Sequence, residues 1–316
     1  MTVDRPGQRA GTPSPHSTSV AAVVVTFHPG PDLATMLASL LNQAGAIIVV
    51  DNGSCAADLS SLAEPVLRDR VEIVANAENR GIGAGLNQGL RRAKERGFSW
   101  VLTLDQDSVP FPSLVAAGAR AFEAHPDRER LAAIGASLVG EDRSSPASIP
   151  NAAAAYRRVP AVITSGALHS VRAWEWLGGF REDYFIDCVD TEFCLRARAR
   201  GLDVIAATEP ALGHNIGTPT RKRALGRWMM PTNHSPLRRY YMTRNRLSLW
   251  RRYARSDGRF VLKDMRQSIR EWIGVAFAEG DRPAKFRAGI AGLIDAPLGR
   301  FGARRFPENP HRAATP

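Results

Sequence analysis

The sequence contains few cysteines, no long apolar run and no apolar core in its first residues. The three cysteines are odd in number and show no Cys-x-x-Cys spacing. This argues against a disulfide framework or a zinc site and fits a reducing cytoplasm. No run of about 18 apolar residues exists, so a membrane-spanning helix is not expected. Residues 1–19 are rich in Pro, Ser and Thr, which predicts a disordered leader and not a signal peptide.

Acidic residues are scarce in the last third of the chain. From Pro219 onward there are 22 Lys and Arg against 7 Asp and Glu, whereas residues 1–218 hold 20 against 24. We therefore predict a domain at 20–218 and a separate basic region at 219–316. The basic region should meet an anionic partner, such as lipid headgroups, a pyrophosphate-linked substrate or nucleic acid.

Apolar runs alternate with helical patterns from Ala21 onward. Strands are predicted at 22–27, 46–51, 71–75, 99–105 and 132–139, with helices at about 31–43, 57–63, 83–96 and 112–124. This alternation predicts an α/β fold in which a mostly parallel sheet is covered by helices on both faces. Residues 219–316 are mainly helical in pattern.

Two carboxylates follow one of the predicted strands. Asp105 and Asp107 come after the apolar run that ends at Leu104, at the carboxyl end of a strand, where ligands of open parallel sheets bind. A turn at this point would let both carboxylates approach one hard cation. Mg²⁺ and Mn²⁺ prefer carboxylate oxygens and keep positions open for substrate phosphates. Taken alone, an acidic pair at a strand end also fits a helix cap or a solvated surface.

Two further loops have the composition of nucleotide-binding segments. Asp51, at the end of the second strand, can accept hydrogen bonds from a base or sugar, although Asp51-Asn52-Gly53-Ser54 also fits a simple tight turn. Three glycines at 81, 83 and 85 precede a helix, where backbone N–H groups could face a diphosphate. Close packing of that helix on the sheet explains the same glycines.

In order and spacing, these segments resemble the inverting nucleotide-sugar glycosyltransferases of the GT-A fold. The resemblance covers about 22–250 and is greatest to family 2, in particular to bacterial rhamnosyltransferases and galactofuranosyltransferases. It is carried by Val25-Thr26-Phe27, Val50–Ser54, Asn79–Gly83 with Asn87, Asp105-Gln106-Asp107, Thr164-Ser165-Gly166, Phe185–Glu192 and His214.

The resemblance implies a role for each matching residue. The donor nucleotide would lie against Thr26, Phe27, Asp51, Asn79, Arg80, Gly81, Gly83, Asn87, Asp105 and Gln106. Asp105 and Asp107 would hold Mg²⁺ or Mn²⁺, and His214 would complete the metal site. Asp190 would be the catalytic base and Glu192 would orient the acceptor. From the local sequence alone, Asp190 also fits a helix N-cap, and His214 fits a surface or core histidine.

The acceptor would meet residues of both regions. The expected set is Ser165, Gly166, Trp174, Arg244 and Asn245. An Arg fork suits phosphate, so Arg244 would face an acceptor pyrophosphate, although its segment also fits a solvated cationic helix. Cations alternate with large apolar residues over 259–298, a composition that suits helices on an anionic membrane or a packing face against the first domain.

Taken with the resemblance, the sequence indicates an inverting, metal-dependent transferase. The expected donor is dTDP-L-rhamnose and the expected acceptor a lipid-linked or cell-surface glycan, in the cytoplasm or on the inner face of the cell membrane. UDP-galactofuranose as donor, sugar nucleotidyl transfer and nucleic-acid binding are the alternatives. Nucleotidyl transfer lacks its glycine-rich opening here, and the basic charge lies on no recognisable nucleic-acid module, so no nucleic-acid partner is expected.

Overall fold

Strands and helices alternate through the first two thirds of the chain, and three long helices dominate the rest. The structure is a computed structural model that describes residues 11–59, 62, 65–68, 70–139, 154–213, 222–224, 227–229 and 232–304. The strands are β1 (Val20–Thr26), β2 (Ala46–Asp51), β3 (Val71–Ala75), β4 (Trp100–Asp105), β5 (Val109–Pro110), β6 (Leu131–Val139), β7 (Tyr156–Arg158), β8 (Ala167–Ser170), β9 (Asp203–Gly213), β10 (Lys222–Ala224) and β11 (Arg227–Met229). The helices are α1 (Leu33–Ala38), α2 (Pro65–Arg68), α3 (Ile82–Glu95), α4 (Leu114–Ala124), α5 (Val171–Leu177), α6 (Val189–Ala199), α7 (Pro236–Tyr253), α8 (Gly258–Ala278) and α9 (Arg282–Asp295).

The chain forms two units. The first unit comprises residues 1–182 and 189–218, and the second comprises Asp183–Cys188 and Pro219–Pro316. Within their described parts, the first unit holds the large sheet and the second holds α7, α8, α9 and a small antiparallel hairpin of β10 and β11.

One large sheet organises the first unit. Its strand order is β3-β2-β1-β4-β8-β6-β9-β5, and β7 pairs with β9. The pairs β1–β2, β1–β4, β2–β3 and β6–β9 are parallel. Strand β8 runs antiparallel to both β4 and β6, so the sheet is mixed on this side. The α/β fold with a mostly parallel sheet is confirmed.

Helices cover both faces of the sheet because the side chains of a strand alternate between them. Val20, Ala22 and Val24 of β1 belong to a core shared with residues of α1 and α4. On the opposite face, α3 packs on Val23 and Val25, which lie against its glycines. These strands read as continuous apolar runs since neither face meets water.

The predicted elements agree with the structure except near two helices. The strands predicted at 46–51 and 71–75 are confirmed to the residue. The helix predicted at 31–43 ends at Ala38. Beyond it, the N–H groups of Leu40 and Gln43 donate to the carbonyls three residues earlier, so the chain continues as turns. The prediction of a helix at 57–63 is wrong for 57–59, which form a turn. The helix begins instead at Pro65, whose missing N–H costs nothing in a first turn.

Residues 11–19, within the segment for which the sequence predicts disorder, contact the first unit. The Trp100 indole N–H donates to the Pro13 carbonyl at 2.8 Å, and the Thr12 hydroxyl donates to Glu129 at 3.1 Å. Ordered structure therefore extends from β1 back to Gly11.

Candidate active site

Three strand ends bring the polar residues of separate motifs to one edge of the sheet. In the register of the parallel strands, Thr26 lies beside Asp51 and Val25 lies beside Asp105. The carboxyl ends of β1, β2 and β4 therefore align, as expected for a ligand site in an open α/β sheet.

Asp51 is buried and organises the loop after β2. Its carboxylate accepts hydrogen bonds from the Thr26 hydroxyl at 2.9 Å, from the Ser54 hydroxyl at 2.5 Å, and from the N–H groups of Gly53 and Ser54 at 3.1 and 2.9 Å. A carboxylate has about four acceptor positions, and all are used. In this structure Asp51 shapes the loop, as in the tight-turn interpretation, and offers no free oxygen to a base.

Gln106 ties the loop after β4 to the end of β1. Its side-chain oxygen accepts from the Phe27 N–H at 2.8 Å, and its amide donates to the Phe27 carbonyl at 3.3 Å. A side-chain amide can accept through its oxygen and donate through its nitrogen at the same time. The middle residue of the Asp-Gln-Asp motif thus connects the two loops, a contact that the sequence alone did not indicate.

The donor set at the end of β4 fits a hard divalent cation. The Ser108 N–H bonds the Asp105 carbonyl at 3.1 Å, so the chain turns directly after the strand, and the Asp107 side chain is exposed. Two carboxylates on such a turn suit Mg²⁺ or Mn²⁺ and leave room for phosphate oxygens. The predicted third ligand, His214, lies outside the described residues. Among the described residues no group of three His, Cys, Asp or Glu side chains is placed to hold a metal.

A run of hydrogen bonds leads from the loop after β4 to the segment Thr164-Ser165-Gly166. The Ser108 and Ser165 hydroxyls lie 2.5 Å apart, and the Gly166 N–H donates to the Thr103 carbonyl at 2.8 Å. The Thr103 hydroxyl donates to the Thr164 carbonyl at 2.6 Å. Ser165 and Gly166, both predicted to meet the acceptor, are buried and fix this segment to β4. Ser108 and Thr103 were missed, although both lie in or beside the acidic motif.

The same segment reaches the predicted base. The Thr164 N–H donates to Asp190 Oδ2 at 3.2 Å, so two motifs that lie 26 residues apart in the chain meet here. Asp190 is half-buried and lies in the first turn of α6, which begins at Val189. It is therefore inside the helix and not its N-cap, since Val189 precedes it. A carboxylate in the first turn interacts favourably with the helix dipole.

Glu192 is held in the interior. It is fully buried and forms an ion pair with Arg196 one turn later, at 2.9 Å. Arg196 in turn donates to the carbonyls of Leu177 and Gly179. In this structure Glu192 anchors α6 to the end of α5 and does not reach a surface where an acceptor could bind.

The glycine-rich loop packs closely on its surroundings. A Cβ on Gly83 would lie 2.6 Å from the Arg181 carbonyl, and one on Gly85 would lie 2.7 Å from the Val25 side chain. Asn79 accepts from the Gly81 N–H at 2.9 Å, which fixes the turn before α3. These contacts support the packing interpretation of the glycines. Arg80 is exposed and remains available to a phosphate.

Asn87 also has a structural role. Its amide donates to the Phe180 carbonyl and to Glu182, both at 2.9 Å, and its oxygen accepts from the Trp174 indole at 2.9 Å and the Phe180 N–H at 2.8 Å. Asn87 and Trp174, predicted to contact donor and acceptor respectively, therefore bond each other in the interior. Both residues also line a cavity of about 640 Å³ between α3 and α5.

In the second unit, Arg244 and Asn245 hold the segment Asp183–Cys188. Both side chains are completely buried. Asn245 donates to the carbonyls of Tyr184, Ile186 and Asp187 at 2.9–3.1 Å. Arg244 donates to the carbonyls of Asp183, Tyr184 and Gly302, and its guanidinium lies over the Tyr241 ring. The donors of this pair face protein oxygens in this structure, and its predicted contact with an acceptor stays a prediction.

The segment Asp183–Cys188 has an unusual backbone. Phe185, Asp187 and Cys188 have φ angles of 66°, 63° and 63°, in the left-handed region that non-glycine residues rarely adopt. Asp187 also forms an ion pair with Arg238 at 3.1 Å. Hydrogen bonds from Asn245 to three of its carbonyls offset the backbone strain, and the segment leads directly into α6 and Asp190.

Two buried ionisable groups outside the site, Cys194 and His169, are held neutral. Burial raises the pKa of the Cys194 thiol to about 12, so this cysteine is protonated at neutral pH and is not a nucleophile. Burial lowers the pKa of His169 to about 3.

Comparison with known proteins agrees with this geometry. Residues 21–164 match the family model described as Glycosyl transferase family 2. This segment is thus similar to family 2 glycosyltransferases. The dTDP-rhamnosyl transferase RfbF of Shigella flexneri is 28% identical over 250 residues, which span 75% of this chain and 81% of that protein. The enzyme class is thus glycosyltransferase.

Solved structures of other glycosyltransferases share the fold. The mannosyltransferase PcManGT from Pyrobaculum calidifontis, in complex with GDP-Man and Mn²⁺, has a TM-score of 0.55 at 17% identity. The matched region covers 90% of this chain and 77% of the PcManGT chain. GalNAc-T7 with UDP, GalNAc and Mn²⁺ has a TM-score of 0.51 at 14% identity. The matched region covers 72% of this chain and 47% of the GalNAc-T7 chain. At these identities the likeness speaks for the GT-A fold alone.

Proposed function

We propose that this glycosyltransferase moves L-rhamnose from dTDP-L-rhamnose to a lipid-linked or cell-surface glycan, with inversion at the anomeric carbon. The observation that carries the donor assignment is the similarity to a dTDP-rhamnosyl transferase over most of both chains. The aligned ends of β1, β2 and β4 support a nucleotide site at this edge of the sheet, where ligands of open parallel sheets bind.

Asp105 and Asp107 would hold a divalent cation beside the donor diphosphate, with His214 as a third ligand. When bound, Mg²⁺ or Mn²⁺ supplies Lewis-acid stabilisation of the charge that develops on the leaving diphosphate. Gln106 keeps the turn that carries both carboxylates against the Phe27 backbone. Arg80, exposed at the start of the glycine-rich loop, would meet a phosphate oxygen.

Asp190 would act as the general base. Its carboxylate removes the proton of the acceptor hydroxyl as that oxygen bonds to the anomeric carbon, on the face opposite the diphosphate. The bond from the anomeric carbon to the diphosphate oxygen breaks, and the diphosphate departs with the electron pair. The Thr164 N–H, at 3.2 Å from Oδ2, orients the carboxylate. One base is enough for this single displacement, and no covalent intermediate is required.

The donor is tested by binding and by turnover. The purified chain is incubated with dTDP-rhamnose, UDP-galactofuranose or GDP-mannose and Mn²⁺, and free nucleoside diphosphate and transferred sugar are measured by mass spectrometry. We expect dTDP-rhamnose to be consumed in preference. Thermal unfolding with dTDP, UDP or GDP should show the largest stabilisation with dTDP, since a ligand that binds the folded state raises its stability. Equal responses to the three nucleotides would contradict the donor assignment.

The metal site is tested with Asp107→Asn. Asp107 is exposed, so the variant should fold normally. The stabilisation of the chain by dTDP should depend on Mn²⁺ in the wild type and lose that dependence in the variant. The matched control is Asp32→Asn, because Asp32 is exposed and lies outside the motif. In this variant, stabilisation by dTDP should still depend on Mn²⁺. Dependence on Mn²⁺ that persists in Asp107→Asn would refute this ligand.

A further inference from the structure

Helices α8 and α9 expose a continuous apolar face. Along α8 its residues recur every three or four positions, which places them on one side of the helix. The rings of Trp272 and Phe286 lie 5.3 Å apart and join the α8 and α9 parts. This α8–α9 face comprises Leu262, Met265, Ile269, Ile273, Phe277, Phe286, Ile290, Leu293, Ile294 and Leu298, each 39–58% exposed.

The opposite side of α8 is already packed. Val261, Val275 and Ala278 are buried there, so the second unit has its own core without using the α8–α9 face. A face with ten large apolar side chains in water exceeds the scattered exposure that is normal for a soluble surface. It is therefore a binding surface.

Exposed cations border this face. Arg266 lies between Leu262 and Ile269 on the helix surface, as the spacing of three and four residues requires. The cations Arg259, Lys263, Arg266, Arg270 and Arg287 are all exposed. Among the described residues none of them has an acidic side chain as its partner.

The acidic residues of these helices are engaged inside the unit. Asp264 accepts from Trp250, Glu271 from Arg246, Glu279 from Arg239 and Lys285, and Asp295 from Tyr240. Of the described acidic residues in α8, α9 and their connection, Asp281 alone is exposed. The face therefore presents apolar side chains with a positive border.

We propose that the α8–α9 face lies on an anionic lipid membrane. Apolar side chains would enter the headgroup boundary while the bordering cations meet acidic headgroups, the arrangement of interfacial amphipathic helices. No described helix is long and apolar enough to cross a bilayer. A second copy of the chain fits less well, since a two-fold contact through this face would bring its cations together. The inference goes beyond the proposed function and does not depend on it.

The experiment is sedimentation of the full chain with vesicles at low and high salt. We expect binding to vesicles that contain phosphatidylglycerol, little binding to pure phosphatidylcholine, and weaker binding as salt screens the attraction. The variant Ile269→Gln/Ile290→Gln should lose most of the binding. In Arg266→Gln/Arg270→Gln, binding should fall roughly five-fold for each cation removed.

Matched controls use exposed residues of the first unit. Ile73→Gln, on β3, and Arg157→Gln, on β7, should bind vesicles as the wild type does. No binding of the wild type at low salt would overturn the proposal. A wild-type dimer that Ile269→Gln/Ile290→Gln converts to a monomer without lipid would also overturn it and make the face a contact between copies. Donor turnover without vesicles is measured in parallel, so failure of the proposed function is seen separately.

Discussion

At the scale of single residues, the orientation of Asp190 depends on a short chain of polar contacts. Thr164 donates to its carboxylate, the Thr103 hydroxyl holds the Thr164 carbonyl, and Ser165 joins the same segment to Ser108 beside the metal motif. A base held in this way loses little rotational freedom before reaction. The proposed metal and the proposed base are thus positioned by one hydrogen-bonded network on β4.

We predict that Asp190→Asn folds and retains donor binding, while its transfer rate falls on the order of 10²–10⁴-fold. This is the usual contribution of a general base, and an amide has no basic oxygen at neutral pH. The turnover number is measured at saturating donor, and dTDP binding is measured by calorimetry. Asp187→Asn is the control and should cost less, because Asp187 pairs with Arg238. Wild-type turnover in Asp190→Asn would refute the assignment.

His169 is a fully buried imidazole, and neither ring nitrogen has a hydrogen-bond partner among the described residues. Its ring packs edge-on against the rings of Phe180 and Phe193. Burial lowers its pKa from 6.5 to about 3. Between these two values the unfolded chain binds a proton that the folded chain does not, so His169 makes the protein less stable as the pH falls through this range.

We therefore predict that His169→Phe reduces the acid sensitivity of folding. An aromatic ring without nitrogens fills a similar volume and cannot be protonated. The free energy of unfolding, measured in urea from neutral pH to about pH 4, should fall less steeply in the variant than in the wild type. Identical slopes in the two proteins would show that His169 is not kept neutral by burial.

The sequence indicated the residue types of the candidate site but not the contacts that each residue makes within the protein. Asp105, Asp107 and Asp190 are recognisable because a strand end and a helix start place them. Asp51, Glu192 and Asn87 belong to the same motifs, yet they are buried and bonded to the protein. Sequence order cannot distinguish these cases, because whether a carboxylate faces solvent depends on contacts between distant segments.

At the scale of elements, the glycines of α3 are explained by its position on the sheet. Gly85 faces Val25 and Gly89 faces Val23, where a Cβ would collide with the valine side chains. The apolar strands and α3 were predictable from periodicity. The antiparallel strand β8 was not predicted, because its short apolar segment carries no signal of direction.

Helix α7 stabilises an irregular segment through one amide. We predict that Asn245→Leu lowers the free energy of unfolding by about 1–3 kcal/mol, because the carbonyls of Ile186 and Asp187 lose this donor, whereas the Tyr184 carbonyl keeps its bond from Arg244. Denaturant unfolding measures the change, and hydrogen exchange should be faster in Asp183–Cys188. Gln267→Leu, at an exposed position, is the control and should stay within about 0.5 kcal/mol of wild type. A similar effect of both substitutions would show that the Asn245 hydrogen bonds do not stabilise this segment.

At the scale of the whole molecule, the division into units does not follow chain order. The change in charge predicts a boundary at Pro219, and the second unit comprises Asp183–Cys188 and Pro219–Pro316. The charge pattern gave no sign that Asp183–Cys188 also belongs to the second unit. That assignment depends on Arg244 and Asn245, about 60 residues later in the chain.

Because of this division, we expect removal of the second unit to affect dTDP binding and sugar transfer differently. A chain that ends at Thr218 keeps the described contacts of Asp51, Gln106 and Thr164 but loses every described contact of Asp183–Cys188 with α7. We expect it to bind dTDP with Mn²⁺ within roughly ten-fold of the full chain, and to lose most transfer because Asp190 follows the released segment.

The control is a chain that ends at Arg304, which keeps the described bonds from Arg244 to Gly302 and from Asn245 to the segment. It should transfer sugar at the full rate. Circular dichroism first establishes that the shorter chain is folded, and calorimetry and turnover are then measured on both. Full transfer by the chain ending at Thr218 would show that Asp190 is positioned by the first unit alone. Loss of dTDP binding by a folded chain of this length would place part of the nucleotide site beyond Thr218.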